Sequence, residues 1–213
     1  GTKTTYKITG CVVNEASIDF DIDGIATINW SGFGKIITED TAPTATITEG
    51  AGATDTSNFI RNRLTSLAAT TSMGGNHPAT YNLVLTGGNV TVSNNITFLT
   101  PETLGVVNQP LGHVTGTRSV SGNFTCYLNA EDDSSAELFE NIIEDTTKIT
   151  NDFTLLFKVG GAATPRVELN MAKCHLEVPT HSIDDVISIE TNFHALPSTV
   201  ETTDELAIKY VGA

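Results

Sequence analysis

Between residues 118 and 157 the spacing of apolar residues changes twice, and each change predicts a different element. From residue 120 to residue 128 apolar and polar residues alternate, which is the period of a half-buried β-strand because successive side chains point to opposite faces. A helix is predicted to start near Ser135, since Ser134 and Glu137 have capping-box spacing and an apolar stripe follows: Leu138, Phe139, Ile142 and Ile143. Alternation resumes at Phe153, so the stretch is predicted to be a strand, a helix and a return strand.

A second pattern, closer to the N-terminus, predicts a β-hairpin. Alternating apolar residues at 81–85 and 90–98 flank Gly87 and Gly88, a pair that favours a two-residue turn. The 213 residues include 18 Gly, and Thr, Asn and Ser are abundant, which suits many short strands and turns better than helices. The predicted fold is therefore mainly β, a β-sandwich with one flanking α-helix.

The central stretch also resembles a known family. Its strand ends in Tyr127, Leu128 and Asn129, its helix contains ELFENI at residues 137–142, and its return strand reads FTLLFKVG at 153–160. The run at 167–197, which contains DDVISIE and ends in an aromatic residue followed by a His, Ala and Leu, adds to the likeness. On these motifs the chain is similar to the major tail tube proteins of long-tailed, siphophage-type bacteriophages.

The resemblance implies a function and a set of partners. Proteins of this family are structural virion proteins that form a ring with a central β-barrel channel, and their rings stack into the hollow tail tube that conducts the phage genome during ejection. A single-unit chain would form hexamers, and a chain with two fused units would form pseudo-hexameric trimers. The other expected partners are the tape measure, tail terminator and tail tip proteins, and DNA in transient, non-adhesive passage.

The resemblance also places the protein in the virion tail, assembled in the host cytoplasm. A membrane partner is not expected, because no apolar run approaches the roughly 20 residues that a spanning helix needs. Two alternatives stay open. One is a tail-completion, baseplate or secretion-tube protein of the same fold. The other is a carbohydrate-binding β-sandwich, which would need an aromatic-lined groove, whereas Trp30 and the four tyrosines are scattered along the chain.

Composition and pattern divide the chain into four parts. Residues 39–57 have the Thr, Ala, Gly and acidic composition of a linker or exposed loop. Residues 58–200 are predicted to be a complete tube-like unit, and residues 201–213 a C-terminal arm. Residues 1–38 are predicted to be the closing strands of a first, truncated unit, because the strand after Cys11 parallels the strand after Cys174. A rival alignment of residues 25–35 with 120–129, and chance similarity, remain as alternatives.

Residues 99–117 break the alternating pattern and are predicted to be a long loop. The segment contains prolines and glycines, yet it also carries several apolar residues. Apolar side chains clustered on a loop are expected to pack against a partner. We expect a docking arm that reaches the neighbouring ring through these residues: Leu104, Val106, Val107, Leu111 and His113. The alternative is a loop that folds back onto its own sandwich.

The charge of the chain restricts its partners. Eleven Lys and Arg stand against 25 Asp and Glu, a formal net charge of −14, which disfavours non-specific binding of nucleic acid. Asp19, Asp21 and Asp23 imitate the start of a calcium-binding loop, but the twelfth position, which should be a bidentate Glu, is Trp30. A strand with one acidic face is the better interpretation. These carboxylates are candidates for a lumen or subunit-edge surface.

The remaining candidate residues are the arginines, the cysteines and the histidines. The arginines Arg61, Arg63, Arg118 and Arg166 are candidates for ion pairs between subunits or rings, with ordinary solvation as the alternative. The three cysteines are odd in number and lie in strand patterns, which predicts small buried residues rather than disulfides. The five histidines lack ligand spacing, and no catalytic motif is present. No enzyme activity, catalytic residue, metal or cofactor is expected.

Overall fold

The computed structural model describes residues 5–40, 59–71, 78–99, 111–144, 153–183 and 186–212. Within them the chain forms one α-helix, α1 (Ser135–Glu144), and a short 3₁₀ helix at Asn62–Leu64. The strands are β1 (Thr5–Thr9), β2 (Val12–Asp21), β3 (Thr27–Phe33), β4 (Ile36–Asp40), β5 (Ser66–Thr71), β6 (Thr80–Leu83), β7 (Leu85–Ser93), β8 (Ile96–Leu99), β9 (Gly112–Thr115), β10 (Ser119–Tyr127), β11 (Phe153–Val159), β12 (Arg166–Leu176), β13 (Thr180–Ile183), β14 (Ile187–Ala195) and β15 (Ala207–Val211). The predicted mainly β fold with one helix is confirmed.

Two antiparallel layers make up the sandwich. The first sheet has the order β3-β2-β7-β10-β14, with β13 paired to the far edge of β14. The second sheet has the order β12-β11-β5-β6, with β15 paired to the outer edge of β12. Strand β12 belongs to both layers, because its residues 174–176 pair with β14 while its residues 166–170 pair with β15. The two sheets are therefore joined at one corner by a shared strand.

Aromatic rings from both sheets fill the space between them. The alternation of β11 buries Phe153, Leu155 and Phe157 completely, as the sequence pattern predicted. The ring centroid of Phe157 lies 5.1 Å from that of Phe20 and 5.8 Å from that of Phe193, both on the first sheet. Because these rings occupy one face of the first sheet, the opposite face of that sheet is left to polar residues.

The predicted helix begins at the expected residue, but its cap differs from the prediction. The Glu137 carboxylate accepts from the backbone N–H of Asp133 at 2.7 Å, while the Ser134 hydroxyl donates to backbone carbonyls of the preceding loop. The apolar stripe is buried at Leu138 and Ile142, whereas Ile143 is exposed. Only part of the predicted stripe therefore packs within this chain.

The predicted hairpin around Gly87 and Gly88 is wrong. Both glycines lie inside β7, which runs without a turn between β2 and β10. A Cβ at Gly88 would lie 2.5 Å from the carbonyl oxygen of Asn123 and 2.8 Å from the ring of Phe20. The glycine is there because the neighbouring backbone and a core ring approach closely, and not because the chain reverses.

Three further predictions concern the cysteines and the two ends of the chain. Cys126 and Cys174 are buried, and burial raises the pKa of each thiol to about 12, but Cys11 is exposed because it lies where β1 leaves the sandwich. The segment predicted as a C-terminal arm includes β15, which is paired with β12 of the same chain, so residues 207–211 are not a free arm. Residues 15–21 of β2 pair with β7, and the interpretation of residues 1–38 as the remainder of a first unit stays a prediction.

Replacing Gly122 by alanine should destabilise the fold. A Cβ there would lie 2.0 Å from the Asn89 carbonyl oxygen and 2.7 Å from the Phe193 ring, which covers the glycine from the neighbouring strand. We expect the free energy of unfolding to fall by about 1–3 kcal/mol, the usual cost of overpacking. Urea denaturation measures it. Gly112→Ala is the matched control, since nothing lies within 4 Å of that position, and equal midpoints for the two variants would contradict the packing argument.

Candidate assembly surfaces

The face of the first sheet that points away from the core is polar across five neighbouring strands. Its residues stand side by side in register, as in the row Asp19, Asn89, Asn123 and Asn192. The Asn29 amide donates to the Asp19 carboxylate at 3.0 Å. The polar residues at the outward positions of these strands include Glu15, Ser17, Asp19, Asp21, Thr27, Asn29, Ser31, Asn89, Thr91, Ser93, Ser121, Asn123, Thr125, Ser188, Glu190, Asn192 and His194. Tyr127 of β10, which pairs with Ser188, lies on the same side and is 41% exposed. We call this surface the polar face.

The polar face carries acids and no permanent cation. None of the strands β3, β2, β7, β10, β14 and β13 contains a Lys or Arg. Asp19 and Asp21 are exposed on this face, whereas Asp23 lies in the turn after β2. At the edge of the face, the Asn192 amide donates to Glu177 at 2.9 Å and, with His194, holds the pKa of that carboxyl below its ordinary value. The result is a wide surface of hydroxyls, amides and carboxylates.

A hairpin projects from one end of the first sheet. Strands β8 and β9 pair from Ile96 with Thr115 to Leu99 with Gly112, so part of the predicted loop at 99–117 is a strand. Leu111 is 69% exposed and Val114 is 53% exposed. His113 is also exposed, and its ring centroid lies 5.9 Å from that of Phe98. The other predicted arm residues, Leu104, Val106 and Val107, lie outside the described residues.

The base of this hairpin is fixed to the sandwich. The Asn14 side chain accepts from the backbone N–H of Ile96 at 2.7 Å, and the Asn94 amide donates to the Val13 carbonyl at 3.0 Å. The Phe98 ring lies 5.5 Å from the ring of Phe33 on β3. The base therefore packs on its own chain while apolar side chains further along remain in water.

A second ribbon leaves the same end of the sheet. Strand β1 continues β2, strand β4 continues β3, and the two pair with each other from Thr5 with Asp40 to Thr9 with Ile36. The ribbon exposes large apolar side chains that nothing in the described chain covers: Tyr6, Ile8 and Ile37. Such exposed apolar patches mark interaction surfaces.

The four candidate arginines divide into two pairs. Arg118 donates to the buried Glu205 of its own chain, and Arg166 donates to Glu168 of its own chain at 2.7 Å. The Arg166 hydrogen bond lowers the pKa of the Glu168 carboxyl. Arg61 and Arg63 are exposed near the start of β3, where Arg61 bridges to Ile25. An ion pair between subunits therefore remains a proposal for Arg61 and Arg63, while the other two already have partners within the chain.

The family model for phage tail tube proteins covers residues 1–195. The chain belongs to the phage tail tube protein family. It is 34% identical over 211 residues to tail tube protein pb6 of Escherichia phage T5, an alignment that covers 95% of this chain and 45% of that protein. This chain thus spans less than half the length of that relative.

Solved structures with a similar chain include a tail tube and a gene transfer agent particle. The tail tube of phage SPP1 aligns with a TM-score of 0.47 at 11% identity, over 72% of this chain and 81% of that one. The virion of a native gene transfer agent particle contains a chain that aligns with a TM-score of 0.43 at 11% identity, over 69% of this chain and 96% of that one.

Sequence reasoning missed most of the polar face of this tail tube protein. It identified Asp19 and Asp21 from a local alternation with Phe20, but it did not select Asn89, Asn123 or Glu190. A signal was present, because most outward positions in these strands are polar and none is Lys or Arg. What the sequence lacked was the order of the strands, which brings these positions together.

Among the described residues no group of three or more His, Cys, Asp and Glu side chains is placed to hold a metal ion. The helices found in those same residues are too short or too polar to cross a membrane. Membership of a tail tube family favours a structural role over an enzymatic one.

Removing the charge of Glu205 should destabilise this protein. Glu205 is only 7% exposed and is paired with Arg118, so Glu205→Gln leaves the guanidinium facing a neutral amide. We expect a loss of about 1–3 kcal/mol in the free energy of unfolding, the contribution typical of a hydrogen bond to a charged group. Thermal unfolding compared with Glu201→Gln, an exposed residue of the same loop, measures the effect. If both variants unfold alike, the pair contributes nothing.

Proposed function

We propose that copies of this chain assemble into rings that stack into a hollow phage tail tube, with the polar face lining the channel through which the genome passes. One observation carries the proposal: the six strands of the first sheet present polar side chains outward and contain no Lys or Arg. This protein would be a structural component of the virion tail. Membership of the tail tube family supports that role.

The chemistry of the polar face suits the passage of DNA. A protein holds DNA mainly by neutralising phosphates with Lys and Arg, which releases condensed counterions. A wall without these cations cannot form such contacts, and its carboxylates at Glu15, Asp19 and Glu190 repel phosphates. Hydroxyls and amides keep the wall wetted. DNA would therefore slide past without adhering.

The sheet edges favour a ring. An open sheet presents unpaired backbone N–H and C=O groups at its edges, and closure of the sheet into a barrel removes them. A ring of copies would achieve this closure around one channel. A hexamer of single-unit chains and a pseudo-hexameric trimer of two-unit chains both remain proposals, and the greater length of the T5 relative is compatible with the second.

The β8–β9 hairpin is our candidate for the contact between rings. It leaves one end of the sandwich with Leu111 and Val114 exposed, and its base is held by Asn14 and Phe33. A head-to-tail contact of this kind propagates along an axis. The tape measure, tail terminator and tail tip proteins remain expected partners from the family.

Two lysines on the polar face should slow genome passage. Thr91→Lys with Asn123→Lys places repeated cations along the proposed channel, so DNA ejection from virions carrying this variant should be slower and should recover as salt is raised. The control is Asn170→Lys with Ala172→Lys, which adds the same charge to exposed positions of the second sheet. Equal ejection rates for the two variants, measured by DNA release after triggering, would show that the polar face does not line the channel.

Charges on the hairpin should separate ring formation from stacking. Leu111→Asp with Val114→Asp should leave rings but abolish tubes in electron micrographs of the purified protein, because a buried inter-ring contact becomes charged. Val200→Asp is the control, since Val200 is 88% exposed on a separate loop. Tubes of normal length from the hairpin variant would exclude this hairpin as the stacking contact. Rings of the unchanged chain that never stack would favour a tail-completion or baseplate role.

A further inference from the structure

We infer that the ring closes by strand addition between copies, with the outer edge of β3 in one copy pairing with the outer edge of β13 in the next. This inference rests on the proposed function and names the two surfaces that would meet. Among the residues that the structure describes, β3 pairs with β2 alone and β13 pairs with β14 alone. Each strand therefore offers one free edge, at opposite sides of the same sheet.

The direction of the strands permits the pairing. Every neighbouring pair in the series β3, β2, β7, β10, β14 and β13 is antiparallel. The series has an even number of strands, so β3 and β13 run in opposite directions. Copies related by rotation about the channel would bring these two strands together antiparallel, and the alternation would continue around the whole ring.

The side chains of the two edge strands also match face by face. On the side of the polar face, β3 presents Thr27, Asn29 and Ser31, and β13 presents Thr180 and Ser182. On the core side, β3 presents Ile28 and Trp30, and β13 presents His181 and Ile183. Pairing would continue the polar face from one copy to the next, and on the other side it would place Ile183 and the His181 ring beside Ile28 and Trp30.

The core-side residues at both edges lack cover in the single chain. Trp30 is 64% exposed and Ile28 is 44% exposed, although they pair with Ala16 and with the buried Ile18. At the opposite edge Ile183 is 76% exposed. These residues continue the hydrophobic layer of the sandwich beyond its own limits, so a second copy is the partner that extends the same layer.

Helix α1 packs beside β13 and adds apolar surface at this edge of the sheet. The edge of the His181 ring meets the Phe139 ring with centroids 4.2 Å apart, which places α1 over β13 on the core side. Ile143 follows Phe139 by one helical turn, so it lies on the same side of the helix, and it is 51% exposed. A β3 strand from a neighbouring copy would bring Ile28 and Trp30 towards Phe139 and Ile143 on α1. That contact explains why Ile143 belongs to the apolar stripe without being buried within its own chain.

Charge at the two edges is complementary. Arg61 and Arg63 are exposed beside the start of β3, in a chain with 11 basic and 25 acidic residues. The opposite edge has the exposed Glu140 on α1, next to Phe139. Copies with a net charge of −14 repel one another, so cations at one edge and acids at the other favour an edge-to-edge approach over other contacts.

Two variants, each altered at one edge strand, test the proposed contact between β3 of one copy and β13 of the next, which we call the seam. The test compares each variant alone with a mixture of the two. Trp30→Glu spoils the β3 edge and leaves the β13 edge intact, and Ile183→Glu does the reverse. Each variant alone should be monomeric by light scattering, because every seam in a ring needs both edges. An equimolar mixture should give dimers, because the intact β3 edge of one variant can pair with the intact β13 edge of the other and no third chain can join. Far-ultraviolet circular dichroism checks that each variant is folded.

The controls separate failure of the seam from failure of the proposed function. Tyr210→Glu is the matched control, since Tyr210 is 63% exposed on β15 of the second sheet, and this variant should form rings like the unchanged chain. Rings from Trp30→Glu alone, or a mixture that stays monomeric while the unchanged chain forms rings, would overturn the seam and leave the tube proposal standing. An unchanged chain that forms no rings at any concentration would overturn both.

Discussion

The contact of Phe157 with the first sheet fixes the orientation on which the rest of the molecule depends. This one ring, on the central strand of the second sheet, lies within 6.5 Å of the ring centroids of Phe20, Phe124 and Phe193, which belong to three different strands. Aromatic pairs of this kind contribute about 0.5–1.5 kcal/mol each beyond the area they bury. Since a strand alternates its side chains, burying these three rings determines which residues face outward.

The outward residues follow from that packing and from two glycines. Gly88 leaves room for the Phe20 ring and Gly122 leaves room for the Phe193 ring, so the first sheet can bring its large aromatic residues to one face without distortion. A slip of one residue in β2, β10 or β14 would expose a phenylalanine and bury an Asn or Asp. The cost of such a slip explains how a surface made of weakly specifying Ser, Thr and Asn residues is held in a single register.

Local patterns in the sequence predicted what depends on neighbours along the chain. The strand ending at Tyr127, helix α1 and the strand starting at Phe153 each follow from a change of period within about ten residues. Gly87 and Gly88 were misread because adjacent glycines signal a turn unless the partner strands are known. Strand β9 was hidden in a predicted loop, since its four residues contain a glycine and follow a proline.

The candidate surfaces could be predicted only where charge or local alternation marked them. Asp19 and Asp21 stand out because acids alternate with Phe20, whereas Asn89 and Asn123 have no local mark and become significant only when β7 and β10 are neighbours. The internal pairing of Arg118 was not predicted, for a related reason. Its partner Glu205 lies far along the chain, and only the tertiary fold shows that the pair is internal.

Net charge and exposed apolar surface have opposite effects on contacts between copies of this chain. A net charge of −14 repels nucleic acid in general, and it also opposes the approach of one copy to another. Attraction between copies must then come from contacts of short range, which are backbone hydrogen bonds at strand edges and the burial of apolar side chains. Many of the exposed apolar residues lie where such contacts would form: on the β1–β4 ribbon, on the β8–β9 hairpin and at the edges of the first sheet. The polar face between those edges consists mainly of hydroxyls, amides and carboxylates, so the surface that we propose lines the channel differs in chemistry from the surfaces that we propose meet other copies.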